Sequence, residues 1–533
     1  MGLLLMLLAA VIFITAYHTY GRWIARKFKI DFNKKTPAHE HRDGVDFEPA
    51  KRYVLLGHHF ASIAGVGPIV GPIAGAMFGW LPVFLWIIIG NIFMGAVHDF
   101  ASLVVSVRNG GKSIGGLMEE YLGKAGKRVF LVFTWLALIL IIAVFTIVVA
   151  NTFTAYPQVA TASGTFMITA VLFGYAVYVK KAPLFISTVI GVALLLAGIA
   201  VGGVFPAKFG YTVWVIVLLA YIFIASVTPV WILLQPRDYL NSFLLYMIIL
   251  AGFIGVIAYR PDISLPAFTG FNVKNTGYLF PILFVTVACG AISGFHSIVA
   301  SGTVSKQLDT KKDMQFVGYG GMLLEGMLAV IALITAAMLT QQNYMLSLSE
   351  GKPEEIFIKG IAAFTVKLGI PFEAGVSFCA LVISAFALTT LDTAARLGRY
   401  TFQELFEVKK TNNPVFGNMY VATIITVGVA ALFAFNKSGT MAIWPVFGSA
   451  NQLLACLALL AVTAYFAKRK ENNLFVKIPA LFMFLVTVSA IAFLMAKNFA
   501  AKNYLLAVLA LLLLGTALYV VKLARDNSLP QNF

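Results

Sequence analysis

Few side chains in this 533-residue chain combine titratable chemistry with a strongly apolar setting: His58, His59, His98, Asp99, His296, Glu325, Asp392 and Arg396. An ionisable group at membrane depth is a functional candidate, because a buried carboxyl can take up and release a proton. Glu325 is the best of them. It stands about ten residues, or roughly 15 Å, into an apolar stretch, and Gly318, Gly320, Gly321 and Gly326 thin the helix around it. Two readings stay open for it: a coupling-proton site, or a hydrogen bond to a neighbouring helix. Asp99 and Asp392 are the other ion-coupling candidates. Asp392 and Arg396 lie one turn apart on one helix face and are expected to pair, as a structural ion pair or a gate near the cytoplasmic end. His58, His98 and Arg396 are assigned to gating or structure. His59 and His296 are substrate contacts or structural histidines.

Histidine and aspartate suit zinc, yet no HExxH or other short ligand spacing occurs, so neither metal nor cofactor is expected. No nucleophile–base or metal motif marks an enzyme. Cys289, Cys379 and Cys456 fall inside apolar stretches and read as packing residues rather than a disulfide framework.

The elements that carry these residues follow from composition. Sixty per cent of residues are hydrophobic and 11% are charged, against roughly 25% charged in soluble domains. The chain is therefore an all-α polytopic membrane protein whose surroundings are the lipid bilayer. Apolar stretches able to cross a core of about 30 Å fall at 2–20, 57–79, 81–107, 129–155, 165–179, 184–203, 211–234, 239–259, 278–303, 315–340, 371–394, 416–435, 441–466, 476–496 and 503–521. With the N-terminus outside, most Lys and Arg fall in cytoplasmic loops, including Arg22–Arg52, Arg108–Arg128, Lys306–Lys312 and Lys468–Lys470. The net charge of +17 is then topological, which excludes nucleic acid as a partner and places the C-terminus in the cytoplasm. The first stretch, Gly2–Tyr20, has its charges after it and no cleavage pattern, which predicts a retained helix.

Two of these stretches are interrupted. Gly65-Val66-Gly67-Pro68, followed by Gly71 and Pro72, lies near the middle of 57–79, and Gly290, Ser293, Gly294, His296 and Ser297 lie near the middle of 278–303. Lipid cannot replace the backbone hydrogen bonds lost there. Alternating topology makes the two stretches run in opposite directions, the pattern of an inverted repeat with a midplane site. Freed N–H groups and the positive end of a half-helix suit a carboxylate, and freed carbonyls suit a cation. No Lys or Arg stands at either break, so a small carboxylate solute is the expected ligand. Gly57-x-His59 and Gly294-x-His296 also share spacing, but pairing them would align the start of one span with the late half of the other. Asn451 and Gln452, in a third interrupted segment from Ile443, either line a polar path or bond neighbouring helices.

Residues 21–56 read as a cytoplasmic connector along the membrane surface, 341–370 as an outside loop with one short helix, and 113–121 as an interfacial or re-entrant helix. Leu234-Gln235-Pro236-Arg237-Asp238-Tyr239 reads as a tight inside turn. The whole chain forms one transporter domain: an extra N-terminal helix (2–20), the connector, a first repeat half (57–259) and a second (278–521).

Phe47-Glu48-Pro49-Ala50-Lys51-Arg52-Tyr53-Val54, Gly57-His58-His59-Phe60 and Gly65-Val66-Gly67-Pro68-x-Val70-Gly71-Pro72 resemble the carbon-starvation protein family of bacterial inner-membrane transporters. Gln235-Pro236-Arg237-Asp238, Ala288-Cys289-Gly290-Ala291-x-Ser293-Gly294-Phe295-His296, Leu391-Asp392-Thr393 with Arg396, and Trp444-Pro445-x-Phe447-Gly448-x-Ala450-Asn451-Gln452 resemble its other blocks in order. The resemblance covers about residues 20–470. It implies a place in the amino acid–polyamine–cation superfamily, a LeuT-like inverted-repeat core, and gradient-driven uptake of pyruvate or small peptides under carbon starvation. The coupling cation is a proton or sodium. His98 stands where relatives often carry Gln, which argues against an essential metal ligand. The chain also ends soon after its last span, so regulation by the C-terminal extension of longer relatives is not expected. A channel and a membrane-embedded metal-dependent enzyme are the alternatives to a transporter.

Overall fold

The computed structural model describes all residues except 44–46, 230–231, 274–276, 408–414, 436–438 and 529–533. Among the described residues the regular structure is helical apart from one short antiparallel strand pair, Asn272–Val273 with Gly277–Tyr278. Eleven described helices are long and apolar enough to cross a membrane, and a bent pair, Arg52–Ile63 with Gly67–Phe78, makes twelve if counted as one span. Of the remaining three expected stretches, two form the shorter helices Tyr211–Val227 and Met419–Ala434. The third is divided into Leu279–Thr286 and Gly294–Val299.

Helix Phe372–Glu407 packs along Ile114–Ala155, and Gly439–Lys468 packs against the latter and against Gly294–Val299. Membrane-facing surface is apolar: Leu184–Val204 exposes Phe185, Ile186, Val189 and Ile190, as a helix in contact with lipid must. The segment 113–121 forms a short helix of its own, starting at Ile114, ahead of the spanning helix Gly123–Ala155. Ser113 caps it through Gly116 N–H at 3.3 Å, and Gly123, whose non-helical φ of +73° suits a residue without Cβ, breaks it from the long helix that follows.

Three loop expectations are corrected. The first helix continues through a π-helical turn to Lys27, so the connector begins at Phe28 rather than Gly21. The connector then clasps the end of the second broken element: Ala50 N–H donates to the Gln307 carbonyl at 2.9 Å, and His39 meets Asp309 at 2.9 Å. Residues 341–370 hold two helices, Gln341–Ser349 and Pro353–Val366, not one. Tyr344, fully buried, donates its hydroxyl to the Ile73 carbonyl at 2.6 Å and ties the loop to the end of the first broken helix. Finally, 234–239 is not a turn but the first turns of helix Leu234–Tyr259, and Arg237 within it is 1% exposed. Proline near a helix start is as natural as proline in a turn, and here burial of Arg237 favours the helix.

Candidate functional site

The first break lies where its composition places it. Helix Arg52–Ile63 stops at Ala64, and Gly67–Gly75 restarts with Pro68 in its first turn, a position where the missing proline N–H has no helical partner to lose. The two pieces bend by 47°. In the second, Leu279–Thr286 ends, Ala291 and Ile292 N–H turn back onto the Ala288 carbonyl at 3.0 and 2.7 Å, and an extended Ser293 leads into Gly294–Val299.

The tertiary structure brings these breaks face to face. A Cβ added at Gly67 would overlap the Cys289 side chain, and one at Gly71 would lie 2.9 Å from the Thr286 carbonyl oxygen. A Cβ added at Gly290 would come 2.6 Å from the Ala329 Cβ, with Pro72 and Pro68 at 3.9 and 4.0 Å. Close approach of two backbones is what glycine permits.

The freed carbonyls of the second break are covered, contrary to the expectation that they stand open for a cation. The Trp444 and Trp86 indoles donate to Thr286 and Val287 carbonyls at 3.2 and 3.1 Å. Gln452 donates to the Phe284 carbonyl at 2.7 Å. Asn91 donates to the Gly290 and Met322 carbonyls at 3.1 and 2.8 Å. Asn451 does the same work at the N-terminal side: its Oδ1 accepts from Phe295 N–H at 3.0 Å, and its Nδ2 donates to Ser293 Oγ at 2.9 Å. The Ser297 hydroxyl donates to the Gly294 carbonyl at 2.7 Å. Side chains thus supply what lipid withholds.

Beside the breaks stands a line of four titratable side chains, each at most 1% exposed. Asp99 sits between His98 and His296, with each Nδ1 at 2.9 Å from one of its oxygens. His296 Nε2 lies 3.4 Å from Glu325 Oε2. An ionised carboxylate only accepts, so both Nδ1 atoms carry protons toward Asp99. The 3.4 Å between His296 and Glu325 is an ion-pair distance and not a hydrogen bond: His296 Nε2 and both Glu325 oxygens have no hydrogen-bond partner among the described residues. Helices Ala96–Arg108, Gly294–Val299 and Gly320–Ala337 supply these residues. His59, fully buried, has no hydrogen-bond partner on either ring nitrogen among the described residues. It packs on Gly321, where an added Cβ would come 3.0 Å from the ring. His58 is half-buried, with Nε2 unpartnered among the described residues. Among the described residues no group of three or more His, Cys, Asp or Glu is arranged to hold a metal ion.

The Asp392–Arg396 pair does not form. Asp392 Oδ2 instead accepts from Arg237 and, at 2.7 Å, from the Tyr221 hydroxyl, while Arg396 donates to the Ala225 and Thr228 carbonyls, both at 2.6 Å. Spacing on one face made the pair possible; helix Tyr211–Val227, packed alongside, offers Arg396 carbonyls at its own C-terminal end. Asp392 consequently belongs to a separate buried cluster rather than to the breaks. Sequence reasoning also missed Asn91, Trp86 and Thr390. The Thr390 hydroxyl is unpartnered among the described residues and would lie 2.7 Å from a Cβ at Gly65. Single polar residues in apolar helices leave no spacing pattern, so only Asn91, a lone amide at membrane depth, carried a signal.

Outside the expected spans, Glu354 is 1% exposed, and neither of its carboxylate oxygens is hydrogen-bonded among the described residues. Burial pushes its carboxyl up to about 8.

Two interrupted helices meeting across a buried polar line, inside a bundle of lipid-facing helices, define a multi-pass membrane transporter. The family model for carbon starvation protein CstA matches residues 1–351 and 346–490, and the chain belongs to that family. It is 33% identical to the peptide transporter CstA of Campylobacter jejuni, over 91% of this chain and 79% of that protein. To the pyruvate/proton symporter BtsT of Escherichia coli it is 31% identical, over 90% and 80%. To the peptide transporter CstA of Bacillus subtilis it is 32% identical, over 91% and 88%. A manganese transporter of Eremococcus coleocola shares the fold at a TM-score of 0.51 and 10% identity, covering 91% of this chain and 99% of that one.

Proposed function

We propose that this chain is a secondary active importer of pyruvate or small peptides across the bacterial inner membrane, driven by protons and working by alternating access. The observation that carries the reading is the meeting of the two breaks beside the His98–Asp99–His296–Glu325 line. The substrate carboxylate binds between the segments Gly65–Gly71 and Gly290–Ser297, with His59 and Thr390 facing it. The Asn451 carboxamide already holds Phe295 N–H, so a carboxylate binds there by displacing one hydrogen-bonding oxygen with another. Asn451 and Gln452 therefore hold the break open while it is empty.

Glu325 takes the coupling proton and Asp99 fixes the imidazole through which it passes. The proton, rather than sodium, fits this site because the freed carbonyls that would ligate sodium are engaged by indoles and amides. The names of the relatives supply the two substrate classes. We place the N-terminus outside and the C-terminus in the cytoplasm, with residues 57–259 and 278–521 as halves of a LeuT-like inverted repeat. The likeness in fold to another transporter and the opposed breaks support that arrangement. We read no catalytic activity into the chain.

Uptake of labelled pyruvate and dialanine into proteoliposomes tests the proposal. Accumulation of unchanged substrate above equilibrium, driven by an inward proton gradient and indifferent to sodium, is expected. Equilibration without accumulation indicates a channel, and altered substrate indicates an enzyme.

A further inference from the structure

The cluster around Arg237 lies apart from the breaks and is left incomplete in a particular way. Arg237 and Asp238 come from helix Leu234–Tyr259, Tyr221 from Tyr211–Val227, and Asp392 and Arg396 from Phe372–Glu407. All but Tyr221 are at least nine-tenths buried, and Arg237 is 1% exposed. Arg237 spends only Nη1, on Asp392 and on the Tyr221 hydroxyl at 2.6 Å. Its Nε and Nη2 have no hydrogen-bond partner among the described residues, and neither do both oxygens of Asp238 or Oδ1 of Asp392. Asp238 Oδ1 approaches Arg237 Nη2 only to 3.5 Å.

A cluster serving stability alone would close these bonds, because half-satisfied buried charges are costly. The two atoms without a hydrogen bond are also the matched pair. Nε and Nη2 form one edge of the guanidinium, the fork that binds a carboxylate through two parallel hydrogen bonds. An amide, hydroxyl or cation has no equal fit to that edge.

Charge decides what else must bind. Arg237 and Arg396 balance Asp238 and Asp392, so a further carboxylate would leave the buried cluster with one uncompensated negative charge. A proton on Asp238 restores the balance, and it also frees the Arg237 edge that Asp238 flanks. Tyr221 is the other titratable group facing the cluster and is engaged as a donor to Asp392.

Position connects the cluster to the breaks. Asn241 lies one turn along the helix from Arg237 and donates to Thr389 Oγ1 at 3.0 Å, and Thr390 beside it faces Gly65. In the topology proposed above, this line runs from the breaks toward the cytoplasm. We propose that the Nε–Nη2 edge of Arg237 is a second carboxylate-binding station on the inward route, occupied by the substrate carboxylate together with a proton on Asp238. The inference rests on the transport reading for its ligand. It adds a site at which an anion and a proton are bound in fixed ratio, the proton arriving from water and adding to an Asp238 oxygen with no other bond changed.

Calorimetric titration of the purified full-length chain in detergent, with pyruvate and with dialanine, in two buffers of different ionisation enthalpy, tests it. The wild type is expected to take up about one additional proton per carboxylate bound relative to Asp238→Asn, which should bind without that proton. Arg237→Lys keeps the charge and loses the fork, so binding should weaken about tenfold or more while proton uptake persists. Pyruvamide, lacking the carboxylate, should not distinguish Arg237→Lys from wild type. Equal proton uptake by wild type and Asp238→Asn, or unchanged affinity in Arg237→Lys, overturns the inference and leaves the transport reading in place. A wild type that binds neither pyruvate nor dialanine overturns both. If Asp238→Asn does not fold, the Arg237→Lys comparison of pyruvate with pyruvamide decides alone.

Discussion

Replacing Gly67 by Ala tests the contact on which the site is built. The added Cβ would fall 2.6 Å from Cys289 Cβ and overlap its sulfur as well, and beyond its own helix it would meet no other atom within 4 Å among the described residues. Carbon atoms in contact prefer about 3.5–4.0 Å, so the two breaks must part by about 1 Å. Rotating the thiol relieves the sulfur but not the Cβ. Overpacking of this kind costs about 1–3 kcal/mol, and at tenfold per 1.4 kcal/mol it weakens substrate binding by about 5–150-fold if all of it falls on the bound state. Cys289→Gly removes both offending atoms. It also ends the 3.5 Å contact from Asn451 Nδ2, and so carries a smaller cost of its own. The double variant should recover most of what Gly67→Ala loses, with a coupling energy of about 1–3 kcal/mol in a double-mutant cycle. Thermal unfolding in detergent and substrate KM in proteoliposomes both read it. A Gly67→Ala protein of wild-type stability and KM, or a double variant no better than the sum of the singles, would refute the apposition of the breaks.

Three further outcomes are expected. Glu325→Gln should abolish proton-driven accumulation while leaving counterflow exchange of pyruvate, since it keeps the shape and loses the titration; intact accumulation would remove Glu325 from coupling. Asn451→Ala leaves Phe295 N–H without its cap, at a cost of about 1–3 kcal/mol, and should lower the melting temperature more than Asn451→Asp, whose carboxylate still accepts. Glu354 is neutral in the folded state up to about 8, against 4.5 ordinarily, so the folded protein binds the extra proton and its stability falls as pH rises from 4.5 through 8. Each pH unit in that window is worth at most about 1.4 kcal/mol. Glu354→Gln should flatten the fall in melting temperature across it, and an identical pH profile would show that Glu354 is not buried as described.

The sequence by itself determined that this is a membrane protein, where its apolar stretches lie, and where two of them break. Those facts need only composition and local backbone chemistry: lipid demands apolar residues, and glycine with proline interrupts a helix wherever it stands. It also singled out Glu325, Asp99 and His296, because an ionisable residue is conspicuous in an apolar stretch. What only the tertiary structure decided was partnership. Asp392 was paired with Arg396 by helical spacing and is bound instead by Arg237, 155 residues away, and the residues read as a turn at 234–239 became the buried start of a helix. The carbonyls freed at Thr286, Val287 and Gly290 are met by Trp444, Trp86 and Asn91, none of which is near them in sequence. A helix break announces unsatisfied backbone groups locally, but the groups that satisfy them come from other helices, and periodicity along one chain carries no record of which helices will meet.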